Sequence, residues 1–410
     1  MPDFLNAYVF VVCGAKEHVD TLHFAIAALR KKTRTDIFVV TDAKRNEIEV
    51  RAENVIHVDI PTEFNNHQAA IILKTSLHRI LPKVRNYAYL DTDVLAISSN
   101  PDGIFKEYIT PIRFAADHCR LRKFSPFSVT CSCLEKFQKN TERFHLYHSL
   151  LENSLNRFDK NRGITDPHLI EKANNLKQKL SLLEKKPLHK TYTALKFNLS
   201  ADQFKLDKEF IYDKNEKVWK DHTGEPLWYE VPINEIEKET GLIHHKEGEV
   251  WLTKEGENIF DNTDECDHLQ LMIDEKFNIK VNDRDWQHWN GGVFLFSDES
   301  HKFMESWYQK CLEIFKDPKW KTRDQGTLVA TAWEFGLQNQ PVLDRKWNLI
   351  ADYNNLLLQF NDEKTAVTMD GEQYEKLPEF IHIYHHFGDE SWKIWNGVAS
   401  MIIPRNASIK

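Results

Sequence analysis

The chain has 410 residues, 41% hydrophobic and 28% charged, with a formal net charge of −8. A chain of this size can bury a large core as one elaborated domain or as two to three smaller ones, and the composition is that of an ordinary soluble protein. The negative charge argues against a broad surface for nucleic-acid phosphates, and no apolar run approaches the roughly 18 to 20 residues of a membrane span.

Tyr8 to Cys13 is an apolar run closed by Gly14. The residues before it offer neither a basic flank nor a small-residue cleavage site, so it reads as a strand and not as a signal peptide. Val19, Leu22, Ile26 and Leu29 then share one helical face, and the basic group Arg30, Lys31, Lys32 and Arg34 reads as its solvated end. Ile37 to Thr41 is the next strand, ending at Asp42, and Val55 to Ile60 a third, stopped by Pro61. Gln68 to Leu81 has helical spacing, ends at Pro82 and leads into a fourth strand, Tyr87 to Leu90, which runs straight into Asp91-Thr92-Asp93. Alternation of this kind predicts a mostly parallel mixed sheet with helices on both faces.

From Lys123 to Asp285 the sequence turns charged and helix-prone, as after Asp166-Pro167, where a long helical stretch runs to Lys186. Phe210 to Tyr212, Val218-Trp219, the turn Asp221 to Gly224 and Leu227 to Val231 then read as a hairpin, with Glu249 to Thr253 as a further strand. This places a mixed α+β insertion at 123–285, between a first half at 1–122 and a second at 286–410. The sheet resumes at Gly291 to Phe296, followed by helices at Phe303 to Phe315 and Gly326 to Phe335 and a last strand at Phe380 to Tyr384.

Six cysteines are too sparse for a disulfide scaffold and suit a reducing compartment, so cytoplasm is the expected location. Cys119, Cys131 and Cys133 cluster beside His118, and Cys266 with His268 follows much later. These are either the parts of a soft metal site of no common spacing or merely buried thiols.

Two aspartates one residue apart at the end of a buried strand put two carboxylates at the carboxyl edge of a sheet, where open α/β folds take their ligands. Oxygen donors of this kind suit a hard divalent cation, which can bridge the phosphates of a nucleotide diphosphate. The same string also fits the opening motif of haloacid-dehalogenase-like phosphatases, with Asp91 as nucleophile, although that motif normally ends the first strand. A non-catalytic carbohydrate-binding or scaffold role is a third reading, in which some of the 11 tryptophans, Trp286 and Trp289 among them, stack on sugars or fill the core.

Asp91-Thr92-Asp93, Trp289-Asn290-Gly291-Gly292, Arg323-Asp324-Gln325-Gly326 and His385-His386-Phe387-Gly388 occur in this order. Together they resemble the glycogenin-like family of retaining, metal-dependent glycosyltransferases, over residues 4–118 and 286–396. The resemblance implies a GT-A-type nucleotide-sugar-binding sandwich that moves a hexosyl group from a nucleotide-diphosphate sugar, with uridine as the expected base. The acceptor stays open among glycan, lipid-linked and protein hydroxyls.

The resemblance further implies manganese or magnesium held by Asp91, Asp93 and His385, with His382 or His386 as alternatives to His385. Cys13, Gly14 and Ala15 would line the base and ribose, Lys74 would stand near the donor, and Asp117 would bond the donor sugar. Asn290, Asp324 and Gln325 would surround the sugar and acceptor. Gly388 is followed by Asp389 to Trp392 without the family's lysine before the tryptophan, and Lys393 is the available substitute.

Overall fold

The computed structural model describes residues 5–402 except 84, 186, 247–249, 261–264, 322–323 and 353–354. Lys186, Glu249 and Arg323, which bounded or belonged to stretches read above, lie outside the described residues, as do residues 1–4. The chain divides into two compact units, one of residues 1–134 and 265–410, the other of 135–264.

The larger unit begins with β1 (Leu5–Val12), α1 (Lys16–Arg30), β2 (Asp36–Thr41), β3 (Asn54–His57), α2 (Asn66–Thr75), α3 (Leu77–Ile80), β4 (Arg85–Leu90), β5 (Val94–Ala96), β6 (Ile112–Arg120) and α4 (Leu121–Ser128). A long helix, α5 (Cys133–Phe158), opens the stretch that forms the smaller unit. There α6 (Pro167–Glu184) and α7 (Pro187–Leu199) precede an antiparallel sheet of β7 (Gln203–Lys205), β8 (Phe210–Asp213), β9 (Val218–Asp221) and β10 (Pro226–Tyr229). After it come α8 (Ile233–Thr240) and the two-stranded ribbon of β11 (Ile243–His245) and β12 (Val250–Leu252). One core of this unit gathers Leu176, Phe204, Phe210, Tyr212 and Trp219, and another Leu151, Ile236, Leu242 and Trp251.

The larger unit resumes with α9 (His268–Phe277), β13 (Gln287–Phe296), α10 (His301–Ile314), α11 (Asp324–Glu334) and β14 (Leu349–Ala351). A small meander of β15 (Gln359–Phe360), β16 (Ala366–Thr368) and β17 (Glu375–Lys376) is followed by β18 (Phe380–Ile383) and α12 (Lys393–Ile402). Residues 123–134 and 265–285 were counted with the insertion on their charged composition. In the structure they pack in the larger unit, where Phe124, Leu269 and Ile273 join its core.

The central sheet has the order β3-β2-β1-β4-β13-β6. The first four strands are parallel, while β13 runs antiparallel to both neighbours, so the sheet is mixed and mostly parallel. Strand periodicity sorts β1 between two cores. Ala7, Val9 and Val11 face a cluster with Ile71, Leu73, Phe303, Trp307 and Leu328 of α2, α10 and α11. Tyr8, Phe10 and Val12 face another with Val19, Leu22 and Leu29 of α1, Val398 of α12, and the small sheet β14-β18-β5. An α/β architecture with helices on both faces follows directly from this alternation.

Local chemistry sets the helix that leads to β4. Asn65 caps α2 by accepting from the Gln68 amide at 2.9 Å while Gln68 Oε1 accepts from the Asn65 amide at 3.0 Å, a reciprocal capping box. The single helix expected over 68–81 breaks at Ser76, whose φ of −95° and ψ of 7° separate α2 from α3. No described helix is long and apolar enough to cross a membrane.

Candidate active site

Strand ends and one bulge build the site. Asp91 follows the last residue of β4, and its amide donates to the Gly292 carbonyl at 2.8 Å. Beyond Val293, opposite Leu90, β13 slips its register against β6, pairing Asn290 with Ala115 but Phe294 with Phe114. The slack holds Gly291, Gly292 and Val293, and a side chain has no room at Gly292 and little at Gly291. A Cβ on Gly292 would stand 2.7 Å from His382 Cε1 and 2.9 Å from Asp91 Oδ2, and one on Gly291 would stand 3.2 Å from Lys74 Nζ. The Gly-Gly pair lets the backbone approach the charged groups, as a glycine inside a strand commonly does.

Asp91, Asp93 and His382 each offer a ligand atom within 4.8 Å of the others. His382 is buried in β18, beside the antiparallel strand β5 that follows Asp93, and its Nε2 stands 3.2 Å from Asp93 Oδ1. On its other side Nδ1 meets Asn348 Oδ1 at 3.1 Å, while Asn348 Nδ2 donates to Asn290 Oδ1 at 3.2 Å. That relay assigns Asn348 Oδ1 as acceptor and places the imidazole hydrogen on Nδ1. The Nε2 lone pair then faces a carboxylate oxygen, an arrangement that only a second proton or a cation satisfies. Burial opposes a charged His382, but Asp93 and then Asp91 outweigh it and raise its pKa.

His385, assigned to this set by the resemblance, is not brought to it. It is exposed and packs its ring on Tyr384 at 4.2 Å, because the strand ends at Ile383 and the chain turns outward. His386 is also exposed, with φ of 60°, and its Nδ1 stands 3.5 Å from Asp389. Of the three histidines considered, the geometry selects His382.

Lys74, on α2, reaches Asp324 at the start of α11 with 2.7 Å between Nζ and Oδ2, and stands 3.6 Å from Asp91 Oδ1. Burial works against the Lys74 charge, yet Asp324 and Asp91 raise its pKa. Burial likewise pushes Asp324 upward, but Lys74 outweighs it and holds the carboxyl below its usual range. Asp91 is raised by burial against the pull of Lys74, with Asp93 adding to the rise, and the Tyr89 hydroxyl donates to its Oδ1. Trp307 donates from Nε1 to the Asp324 carbonyl at 2.9 Å, tying this corner to the core aromatics Phe114 and Phe294.

A cleft of about 620 Å³ is lined by Val12, Cys13, Ala15, Lys74, Asp91, Asp93 and Asp324. Gly14, between two of these, has φ of 109°, and its amide donates to Asn46 at 3.0 Å. Burial, with Asp42 adding, pushes the Cys13 thiol up to about 11, so it presents a neutral group. Asp117 is buried on β6 and accepts from Asn290 Nδ2 at 3.0 Å. Burial opposes its charge, but His288 and His118 outweigh that and lower its pKa. Gln325 meets His288 at 3.3 Å, and His288 is stacked on Phe124 with 3.8 Å between centroids. A second cleft, of about 640 Å³, is lined by Ala116, Asp117, Asn348 and Asp352.

Asp91, Asp93, Lys74, Asp324, Cys13 and Ala15 thus share one cleft. Asn290 and Gln325 stand beside the Gly291–Gly292 pair that borders its charged groups, while Asp117 is bonded to Asn290 and lines the second cleft. Gly388 and Lys393 are not brought to the first cleft. Gly388 is an exposed turn residue with φ of 84°, and Lys393, at the start of α12, lines a different cleft with Asn355 and Asn361. Tyr89 and Asn348 were missed by sequence reasoning. A hydroxyl inside an apolar strand marks Tyr89 in retrospect, whereas Asn348 carries no local signal.

No protein-family model matches the chain, and no curated protein matches it. Among solved structures it is similar to the WbbM bifunctional glycosyltransferase in its apo form, with 9% identity and a TM-score of 0.42, over 98% of this chain and 50% of that one. It is also similar to mouse xyloside xylosyltransferase 1 in its apo form, with 8% identity and a TM-score of 0.35, over 93% of this chain and 98% of that one. The chain spans half the length of the first of these. Likeness this distant carries no argument of its own, and the chemistry is read from the side chains.

Proposed function

We propose that the chain is a glycosyltransferase that moves a hexosyl group from a nucleotide-diphosphate sugar, with uridine as the base, onto an acceptor hydroxyl with retention of configuration. The observation that carries this reading is the convergence of Asp91, Asp93 and His382 beside the Lys74–Asp324 pair at the carboxyl edge of the parallel strands. Two carboxylates and one imidazole whose Nδ1–H is already engaged are a donor set for manganese or magnesium. When bound, the cation supplies the charge that neutralises a leaving diphosphate.

The remaining roles belong to this chain's own groups. Cys13, Gly14 and Ala15 wall the base and ribose, and the apolar run behind them excludes water. Lys74, kept charged by its two carboxylates, directs a hydrogen-bond donor at donor oxygens while Asp324 accepts from sugar hydroxyls. Asp324 is held ionised and so does not act as a general acid. Asn290 and Asp117 fix one another, and with Asn290 Oδ1 filled by the Gly292 amide and Asn348 Nδ2, the second Asn290 Nδ2 hydrogen is the group left for the sugar, with Gln325 on the acceptor side. No side chain at the anomeric position is required as a nucleophile, since the departing phosphate can take the acceptor's proton.

The test is release of free nucleoside diphosphate from a panel of nucleotide sugars with manganese, with chelator, and with Asp93→Ala. Chelator-sensitive turnover of one donor, lost in the variant, supports the proposal. Hydrolysis of phosphomonoesters with a phosphorylated Asp91, and no donor turnover, would favour the phosphatase reading instead.

A further inference from the structure

Two stretches separated by more than a hundred residues of intervening chain bring four soft donors together in the larger unit. Cys131 lies just before α5 and Cys133 is its first residue, while Cys266 precedes α9 and His268 begins it. One ligand atom from each lies within 4.8 Å of all the others. Cys131 Sγ and Cys266 Sγ are 3.8 Å apart, and His268 Nδ1 stands 3.5 Å from Cys133 Sγ and 3.3 Å from Cys266 Sγ.

These separations match a metal tetrahedron and not a disulfide. Zinc bonds of about 2.3 Å to sulfur and about 2.0 Å to nitrogen put tetrahedral sulfurs about 3.8 Å apart and a sulfur–nitrogen pair about 3.5 Å apart. A disulfide would need about 2.05 Å between sulfurs, and all six cysteines are free. Cys119, grouped with these thiols on sequence, is not part of the set, because its Sγ is turned onto Asp117 Oδ1 at 3.4 Å.

Hydrogen bonds around the set hold the donors in place. Leu269 N donates to Ser125 Oγ at 2.9 Å, which leaves the Ser125 hydroxyl to donate to Cys266 Sγ at 3.1 Å, the hydrogen bond a thiolate ligand takes. The Cys266 amide is fixed on the Arg122 carbonyl at 3.2 Å and the Thr130 amide on the Lys319 carbonyl at 2.8 Å, so both ligand-bearing loops are anchored to the larger unit. Three thiolates and an imidazole select a soft or borderline cation over magnesium or calcium.

We propose that Cys131, Cys133, Cys266 and His268 bind one zinc ion in a closed, four-coordinate structural site. Four protein ligands leave no open position for substrate, so the ion is not catalytic. Its ligands stand immediately before residue 135 and after residue 264, and the site clasps the two points at which the chain leaves and re-enters the larger unit. Closing so long an excursion at its root removes conformational freedom from the unfolded chain.

The test is metal content of the full chain by mass spectrometry, with cobalt(II) titration of the metal-stripped full chain. We expect about one zinc per chain, kept in Asp93→Ala and lost in Cys133→Ser and Cys266→Ser, and an intense thiolate-to-cobalt absorption band that zinc displaces. The cobalt titration uses the unaltered chain, so it decides the matter even if the cysteine variants fail to fold. A chain that holds no zinc and gives no thiolate-to-cobalt band overturns the proposal, as does zinc lost from Asp93→Ala but retained by both cysteine variants.

Discussion

The Lys74 ammonium stands 2.7 Å from Asp324 and 3.6 Å from Asp91, so one buried cation is shared by two carboxylates that belong to the ends of different elements. With the side chains of Lys74 and Asp324 10% and 15% exposed, little solvent screens either group. Removing one partner strands the other in a low-dielectric site, which costs far more than an exposed ion pair contributes.

Lys74→Met is therefore expected to lower stability by roughly 3 kcal/mol, measured by urea denaturation. Adding Asp324→Asn should recover part of that loss, since the double variant no longer buries an unpaired carboxylate there. Strict additivity of the two single changes would contradict the pairing.

Gly292→Ala and Gly291→Ala are expected to differ. The first forces a Cβ to 2.7 Å from His382 and 2.9 Å from Asp91, and should weaken manganese binding at least about tenfold. The second meets the far end of Lys74 at 3.2 Å, which can shift, and should be milder. Manganese titrations of both variants check the order, and equal effects would contradict it.

Asn348→Ala leaves every ligand atom in place but removes the acceptor for His382 Nδ1. Loss of such an orienting partner typically costs about 10- to 100-fold in metal affinity. The expected result is that loss together with a stability drop of about 1–3 kcal/mol from the orphaned buried Nδ1–H, and unchanged affinity would show that Asn348 does not orient His382.

On α10, hydrogen bonding from Arg79 leads the effects that hold Glu305 at about 2, with His78 Nε2 also in contact at 2.9 Å. A depressed carboxylate contributes stability that is present above its unfolded pKa, near 4.3, and fades as pH falls toward its folded value. Glu305→Gln should thus be less stable than the natural chain at pH 7 by about 1 kcal/mol, since the group is partly exposed and screened. The gap should narrow below about pH 4 in urea titrations, and a gap that widens with acid would contradict the sign.

Much of the larger unit was legible because burial leaves a period. The continuous apolar run of Tyr8 to Cys13, the helical face of Val19, Leu22 and Leu29, and the strand before Asp91 are each dictated by which side chains must leave water. The limits of the insertion were not legible, since α4 and α9 are charged on their outer faces and reveal their packing only through Phe124, Leu269 and Ile273. His385 was favoured over His382 because motif spacing counts residues, whereas which histidine stands beside Asp91 and Asp93 depends on where the strand stops. His382 lies between Ile381 and Ile383 in a fully buried strand, and a polar side chain there must have a partner. The soft cluster was legible as a loose group of Cys119, Cys131, Cys133, Cys266 and His268, but which of them meet is set by tertiary folding, which brings Cys131 to Cys266 and turns Cys119 onto Asp117.

The most direct measurement of the account is calorimetric titration of UDP into the full chain with manganese and after chelation, using the natural sequence, His382→Ala and His385→Ala. The account predicts binding that needs manganese, is lost in His382→Ala and survives in His385→Ala. UDP binding that is indifferent to chelation, or that depends on His385 and not on His382, would contradict it.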